Sequence, residues 1–161
     1  MTSLKQCNPK SPASTLPILS LNKFAYAIGI PREKLESLAN KTASYYFPFM
    51  KKRGDKQREI DQPVGFLKEV QGKINDHILS NVLLPEYVIG GVKGRKHYEH
   101  PLRHINKPVV ITFDVKDCFQ NITNLQVFNV WHKQLECSHE VARLATKLTT
   151  RNGHLPLGAP T

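Results

Sequence analysis

The chain has 161 residues, 40% of them hydrophobic, and a formal charge of +10, because Lys and Arg number 23 against 13 Asp and Glu. The hydrophobic fraction argues against wholesale disorder, and no apolar run approaches the ~18 residues that a transmembrane helix needs. The excess of cations favours a polyanionic partner, and nucleic acid is the first candidate.

The N-terminus lacks the apolar core of a signal peptide. The three cysteines, Cys7, Cys118 and Cys137, are odd in number and widely spaced, which argues against a disulfide framework or a zinc site. These features predict reduced thiols in a cytoplasmic protein that has no membrane attachment.

Residues 1–19 contain several Pro, Ser and Lys, which predicts a flexible lead-in. Two short helices are expected within residues 20–44. Ser20 is the predicted N-cap of the first, from Leu21 to Ile28, and Pro31 opens the second. Such a pair is either a packing hairpin, which we favour, or a helix-turn-helix that binds DNA.

Two extended runs, 45–50 and 58–61, flank a Lys- and Gly-containing turn at 52–56, which predicts a β-hairpin with a basic tip. Pro63 is expected to start a long helix that Pro85 stops. Its apolar face is predicted from Leu67, Val70, Ile74 and Ile78, which recur at helical spacing.

A Gly-rich basic segment, 90–96, follows, but it has no Gly-Lys-Ser/Thr and is not a P-loop. His97, His100 and His104 then lie at helical spacing. A metal cluster is one interpretation of them. A basic helix face or loop is favoured, because no Cys or carboxylate has a fitting spacing.

The run from Val109 to Phe113 is apolar and rich in β-branched residues, which predicts a short buried strand. Such a strand would deliver Asp114 to its exposed end, with Asp117 shortly after. A carboxylate held on a rigid support suits magnesium, because a hard cation prefers oxygen ligands. The alternative is a strand that merely runs into an Asp-rich turn.

Thr123 is the predicted cap of a helix from Asn124 to about Glu136, and Ser138 caps a last helix that Asn152 and Gly153 end. Residues 155–161 are predicted to begin another element. The order of elements fits an α+β fold, and the shortage of strands suggests that part of the sheet lies beyond the C-terminus.

Several blocks, in the same order, resemble the N-terminal part of bacterial reverse transcriptases of the retron and group II intron type. They are the hairpin with Arg58-x-Ile60-x-x-Pro63, the helix with Leu67-Lys68-x-x-Gln71, the segment Gly91-x-x-Gly94-Arg95, the run Phe113-Asp114-Val115-Lys116-Asp117-Cys118-Phe119, and the final Leu155-Pro156-Leu157-Gly158-Ala159-Pro160-Thr161. The resemblance extends from about Leu21 to the end of the chain. Cys118 stands where an aromatic residue is usual, and Leu157 replaces a Gln that the family uses beside the incoming nucleotide.

The resemblance implies the fingers and partial palm of a right-hand polymerase, with residues 45–108 as the fingers region and 109–161 as the start of the palm. The chain ends before the family's Tyr-x-Asp-Asp motif, so the C-terminal palm and the thumb would be missing. The implied activity is RNA-directed DNA synthesis, in which two Mg²⁺ ions assist transfer from a dNTP to a DNA or RNA primer on an RNA template. Activity of the 161-residue chain by itself is not expected.

By the same resemblance, Asp114 would be the catalytic carboxylate and a ligand of both ions, and the Val115 carbonyl a second ligand. The backbone amides near Asp117 and Cys118 would face the triphosphate, and Phe119 would lie under the sugar.

Lys52 and Arg58 would grip the triphosphate, and Leu157 would lie beside the nucleotide. The remaining cations of the two basic segments are predicted to contact nucleic acid: Lys51, Arg53, Lys93, Arg95 and Lys96.

Two other classes of function stay open: a non-catalytic nucleic-acid-binding remnant of a reverse transcriptase and, less favoured, a helix-turn-helix DNA-binding protein. Within the polymerase class, a retron in antiviral defence and a mobile group II intron are both compatible with the residues.

Overall fold

The computed structural model describes residues 16–92, 94–96 and 98–160, and the side chains of all of these except Arg53 and Lys56. Most of the predicted lead-in, together with Lys93 and His97, lies outside the described residues. The helices are α1 (Leu21–Ile28), α2 (Arg32–Ala39), α3 (Gly65–His77), α4 (Glu99–Leu102), α5 (Cys118–Asn121), α6 (Asn124–Asn129) and α7 (His139–Thr149), and the strands are β1 (Tyr46–Arg53) and β2 (Lys56–Pro63).

The helix starts predicted from Ser20, Thr123 and Ser138 are confirmed, whereas the last helix ends at Thr149 and not at the predicted Asn152 and Gly153. The Ser20 side chain accepts from the Lys23 amide, and α1 ends at Gly29, whose φ of 64° is left-handed. Thr123 and Gln126 form a capping box at α6, and the Ser138 side chain accepts from the Val141 amide at the start of α7.

The core lies between α1, α2, α3 and α7. The apolar residues that recur along α3 and α7 are buried there, as their spacing predicts. Phe24 of α1 meets Trp131 edge to face, with ring centroids 6.2 Å apart. Helices α1 and α2 both pack into this core, as a packing hairpin would.

Strands β1 and β2 form an antiparallel hairpin in which Tyr46 faces Pro63 and Arg53 faces Lys56, so the predicted hairpin is confirmed. Pro63 ends β2, whereas the sequence predicts that it starts the next helix. That helix begins at Gly65 and ends at His77, well before Pro85. The mixture of helices with this small sheet is compatible with an α+β fold.

The helix predicted from Asn124 to Glu136 is shorter than expected. Helix α6 ends at Asn129, and a π-turn spans Val130–Gln134, in which the Leu135 amide donates to the Val130 carbonyl. The wider turn places both Trp131 and Leu135 in the core, which accounts for the change of helix type.

The prediction of a buried strand from Val109 to Phe113 is wrong for this chain. Within the described ranges the sheet contains β1 and β2 alone, and they pair with each other. A third strand would have no partner for its backbone groups, so this run stays outside regular structure and exposed to water. Val109 is 72% exposed and Phe113 is 91% exposed.

Among the helices that the structure describes, none has both the length and the apolar composition required to cross a bilayer.

Candidate nucleotide and nucleic-acid site

Residues 151–158 are here called the C-terminal turn. They connect two parts of the predicted site, the β-hairpin and the segment that follows Asp114. On one side, the Asp61 amide of β2 donates to the Leu157 carbonyl at 2.9 Å. On the other side, the Leu155 amide donates to the Ile122 carbonyl at 2.9 Å, one residue beyond α5. The turn therefore holds the hairpin and the segment that follows Asp114 in a fixed relation.

Close approach explains why residue 158 of the C-terminal turn is a glycine. Gly158 has a φ of 107°, and a Cβ added there would lie 2.8 Å from the Ile60 Cγ2 atom of β2. Any side chain would be strained in this backbone conformation and would collide with the strand. Gly158 thus lets the turn pack directly on the hairpin.

A buried ion pair reinforces this contact. The Arg151 guanidinium donates to the Asp61 carboxylate, and both side chains are largely buried. The Nε2 atom of His154 lies 3.9 Å from the second Asp61 oxygen, and the Arg151 guanidinium carbon lies 5.3 Å from the Tyr46 ring centroid. Removing one partner of such a pair leaves a buried charge uncompensated, so the pair favours one position of the turn.

The sequence predictions missed this pair. Asp61 and Arg151 are 90 residues apart, and neither belongs to a motif with a fixed spacing. Only the fold brings them together, so a single sequence contains no signal for the contact.

The hairpin charges are exposed, and the register sorts them onto two faces. Lys51 lies opposite Arg58, whereas Lys52 lies opposite Gln57. Because side chains alternate along a strand, Lys51 and Arg58 share one face and Lys52 lies on the other. The structure thus brings Arg58 together with Lys51 rather than with Lys52. Arg53 is in β1, but its side chain is among those that are not described.

The residues around Asp114 are accessible. Asp114 has no hydrogen-bond or ion-pair partner within the described part of the chain, and Val115 is 68% exposed. Asp117 adopts a left-handed conformation with a φ of 49°, and its carbonyl accepts from the Asn121 amide at 3.1 Å. Cys118 opens α5 and is exposed, and Phe119 is 42% exposed.

Arg95 serves the fold of the Gly-rich segment. Its guanidinium donates to the carbonyls of Leu84, Pro85 and Val88, and so holds the loop that follows α3. The neighbouring Lys96 is exposed, with its ammonium 5.5 Å from the Tyr98 ring centroid. The contribution of both cations to nucleic-acid binding remains a prediction.

The rings of His100 and His104 are 5.0 Å apart, but His97 lies outside the described residues. No three His, Cys, Asp or Glu side chains within the described ranges are placed to hold one metal ion.

No family model matches the chain. Two curated relatives are the retron Se72 reverse transcriptase of Salmonella heidelberg (strain 579083-10), 28% identical over 144 residues, and the retron Ec86 reverse transcriptase of Escherichia coli, 29% identical over 150 residues. These matches cover 88% and 90% of this chain but 38% and 46% of the relatives, so the chain spans less than half of their length. The resemblance to bacterial reverse transcriptases is confirmed for the retron type, whose sequences this chain resembles over most of its own length.

Proposed function

We propose that the chain provides the hairpin and the first catalytic segment of a retron-type RNA-directed DNA polymerase. The observation that carries the proposal is the C-terminal turn, which is hydrogen-bonded to Asp61 of β2 and to Ile122 in the segment that follows Asp114. The three blocks that resemble the family thereby meet in one region of the molecule. The substrates would be a dNTP and a primer on an RNA template.

In this proposal, Lys51 and Arg58 bind the triphosphate from one face of the hairpin. Their facing positions support this revision of the sequence prediction, which paired Arg58 with Lys52. Like charges directly opposite each other disfavour a hairpin, and an anionic ligand between them would relieve that repulsion. Arg58 also offers a planar fork of donors that suits phosphate oxygens.

Asp114 would supply one carboxylate, and the amides at Asp117 and Cys118 would lie near the triphosphate. Phe119 would pack under the sugar, and Leu157 beside the nucleotide. Asp114 and the Val115 carbonyl do not by themselves fit a site for two magnesium ions, because each ion needs several oxygen ligands. The magnesium requirement is therefore proposed from the resemblance to reverse transcriptases, with Asp114 and the Val115 carbonyl as two of the ligands.

The test compares Asp114→Asn with Asp117→Asn in an active polymerase, such as a chimera that joins this chain to the C-terminal part of the Salmonella relative. Asp114→Asn should reduce primer extension by on the order of 10³-fold or more, because it removes a main anionic ligand while keeping the side-chain size. Asp117→Asn should cost less than about tenfold, since Asn tolerates the left-handed conformation.

Circular dichroism and RNA binding serve as controls, and both should be unchanged in the two variants because Asp114 and Asp117 are exposed. Equally mild effects of the two substitutions on primer extension would refute the role of Asp114. Unfolding by Asp114→Asn would instead identify this carboxylate as a structural group.

A further inference from the structure

One face of α7 carries a cation at successive turns. Arg143 and Lys147 are four residues apart in α7, and Arg151 follows four residues later, just beyond the end of the helix. Four residues rise about 6 Å along an α-helix, so Arg143 and Lys147 stand one turn apart on the same side. Both are exposed, whereas Arg151 is partly buried.

This face of α7 borders two recesses that share Lys147. The larger, of about 490 Å³, extends from Arg143 and Lys147 to Arg32 and Asn40 of the α2 region. The smaller, of about 190 Å³, extends from Lys147 to Thr42 between α2 and β1. The two recesses, which meet at Lys147, are here together called the α7 groove.

The smaller recess has no acidic residue among those described as lining it. It is lined by Lys147, Arg151 and neutral polar residues that include Thr42, Asn124 and Asn152. Lys147 makes one hydrogen bond, to the Asn40 carboxamide oxygen at 3.5 Å. Arg151 pairs with Asp61, but its Nε is buried without a hydrogen-bond partner among the described residues.

The larger recess contains two carboxylates, which reduce its charge without cancelling it. Glu36 is already paired with Arg32 at 3.0 Å, and Glu140 lies in the first turn of α7, where the helix dipole stabilises it. Arg143 has no ion pair within the described part of the chain. The groove therefore presents Arg143 and Lys147 as cations available to an anion.

Cations one helical turn apart, with neutral hydrogen-bonding side chains beside them, suit a row of phosphodiester groups. We propose that the α7 groove binds the phosphate backbone of a nucleic-acid strand, as a second contact made by residues other than those of the hairpin tip. This rests on the proposed function, in which an RNA strand is the template. The contact would position the strand without reading its sequence, because phosphates carry none.

The experiment measures binding of the complete 161-residue chain to a fluorescein-labelled 20-nucleotide single-stranded RNA, and to DNA of the same sequence, by anisotropy between 50 and 300 mM NaCl. Arg143→Gln/Lys147→Gln should weaken binding to both probes by roughly tenfold and flatten the slope of log K against log salt by about 1.4. Lys68→Gln/Lys133→Gln removes the same charge from exposed residues that line neither recess, and should change affinity by less than about twofold.

A second variant retains the charge: Arg143→Lys/Lys147→Arg should bind like the unmodified chain. If the groove variant keeps the affinity and salt slope of the control, the groove is not a binding site. A loss confined to one of the two probes would also overturn phosphate binding, because RNA and DNA share the phosphodiester.

Lys51→Gln/Arg58→Gln separates this inference from the proposed function. A loss of RNA binding in that variant alone would overturn the groove and keep the hairpin. A loss in the groove variant alone would support the groove and would agree with a hairpin that binds triphosphate rather than the RNA backbone. Absence of binding by the unmodified chain would overturn the groove, whereas the proposed function is tested separately by primer extension with Asp114→Asn.

Discussion

Gln71 of α3 is a buried amide whose two partners come from two other elements. Its side-chain nitrogen donates to the Tyr46 hydroxyl of β1 at 2.9 Å and to the Leu148 carbonyl of α7 at 2.8 Å. Burial raises the pKa of Tyr46, although the hydrogen bond from Gln71 and the charge of Arg151 partly offset this effect. A single amide of α3 thus ties the hairpin to α7, and the burial of Tyr46 makes the folded state sensitive to alkaline pH.

Tyr46→Phe tests this link. The unfolded chain releases the Tyr proton near pH 10, below the pKa in the folded protein, so the stabilising effect is complete below about pH 10 and is lost as the pH rises further. The variant should lose about 1 kcal/mol of unfolding free energy at pH 7, because Gln71 loses an acceptor. It should also show a shallower decline in that free energy between pH 9 and pH 11 in urea titrations.

Tyr26→Phe is the matched control, because Tyr26 is 89% exposed. Its unfolding free energy should follow that of the unmodified chain at every pH. If Tyr46→Phe declines as steeply as Tyr26→Phe above pH 10, the alkaline sensitivity has another origin.

The hairpin shows how the register of an element assigns roles that a motif leaves ambiguous. The sequence places two lysines side by side before the turn, and both suit a phosphate. Alternation along β1 then separates them: Lys51 shares the face of Arg58, and Lys52 does not. The difference depends on which residues pair across the two strands, and this pairing is fixed by the short turn at Gly54 and Asp55.

Lys51→Ala and Lys52→Ala therefore make a matched pair. Lys51→Ala should weaken binding of inorganic triphosphate by roughly tenfold, the value of one charge-assisted hydrogen bond, whereas Lys52→Ala should change it by less than about threefold. Isothermal titration calorimetry at low salt measures both. Lys51→Ala should also leave the unfolding free energy unchanged or raise it by a few tenths of a kcal/mol, because it removes a like charge opposite Arg58. Equal losses of affinity in the two variants would contradict a one-sided site.

Across the whole molecule, local signals predicted the elements and long-range contacts decided the rest. The caps at Ser20, Thr123 and Ser138, and the apolar spacing of α3 and α7, act within a few residues and are legible in one sequence. The Asp61–Arg151 pair and the packing of the C-terminal turn on β2 depend on the assembled fold. Candidate site residues can thus be proposed from motif resemblance, whereas the long-range contacts that hold their segments together cannot be predicted from it.

The run from Val109 to Val115 shows the limit of apolar patterning. Its β-branched residues signal a preference for an extended, covered chain, but they do not supply the neighbouring strands that would cover it. In this chain β1 and β2 pair with each other and leave the run to solvent. The result is an exposed apolar stretch next to Asp114.

Ile111 and Phe113 are two of the large side chains of this exposed stretch. Ile111 is 70% exposed and Phe113 is 91% exposed, so Ile111→Ser/Phe113→Ser should change the unfolding free energy by less than about 0.5 kcal/mol. Because a contiguous apolar surface promotes association, the same variant should bind less of a hydrophobic dye and self-associate less in sedimentation velocity. Val141→Ser is the contrasting control: Val141 is 0% exposed, and placing a hydroxyl there should cost about 2 kcal/mol or more. If the double variant were as destabilised as Val141→Ser, the stretch would be buried in solution, and the strand expected from its sequence would exist after all.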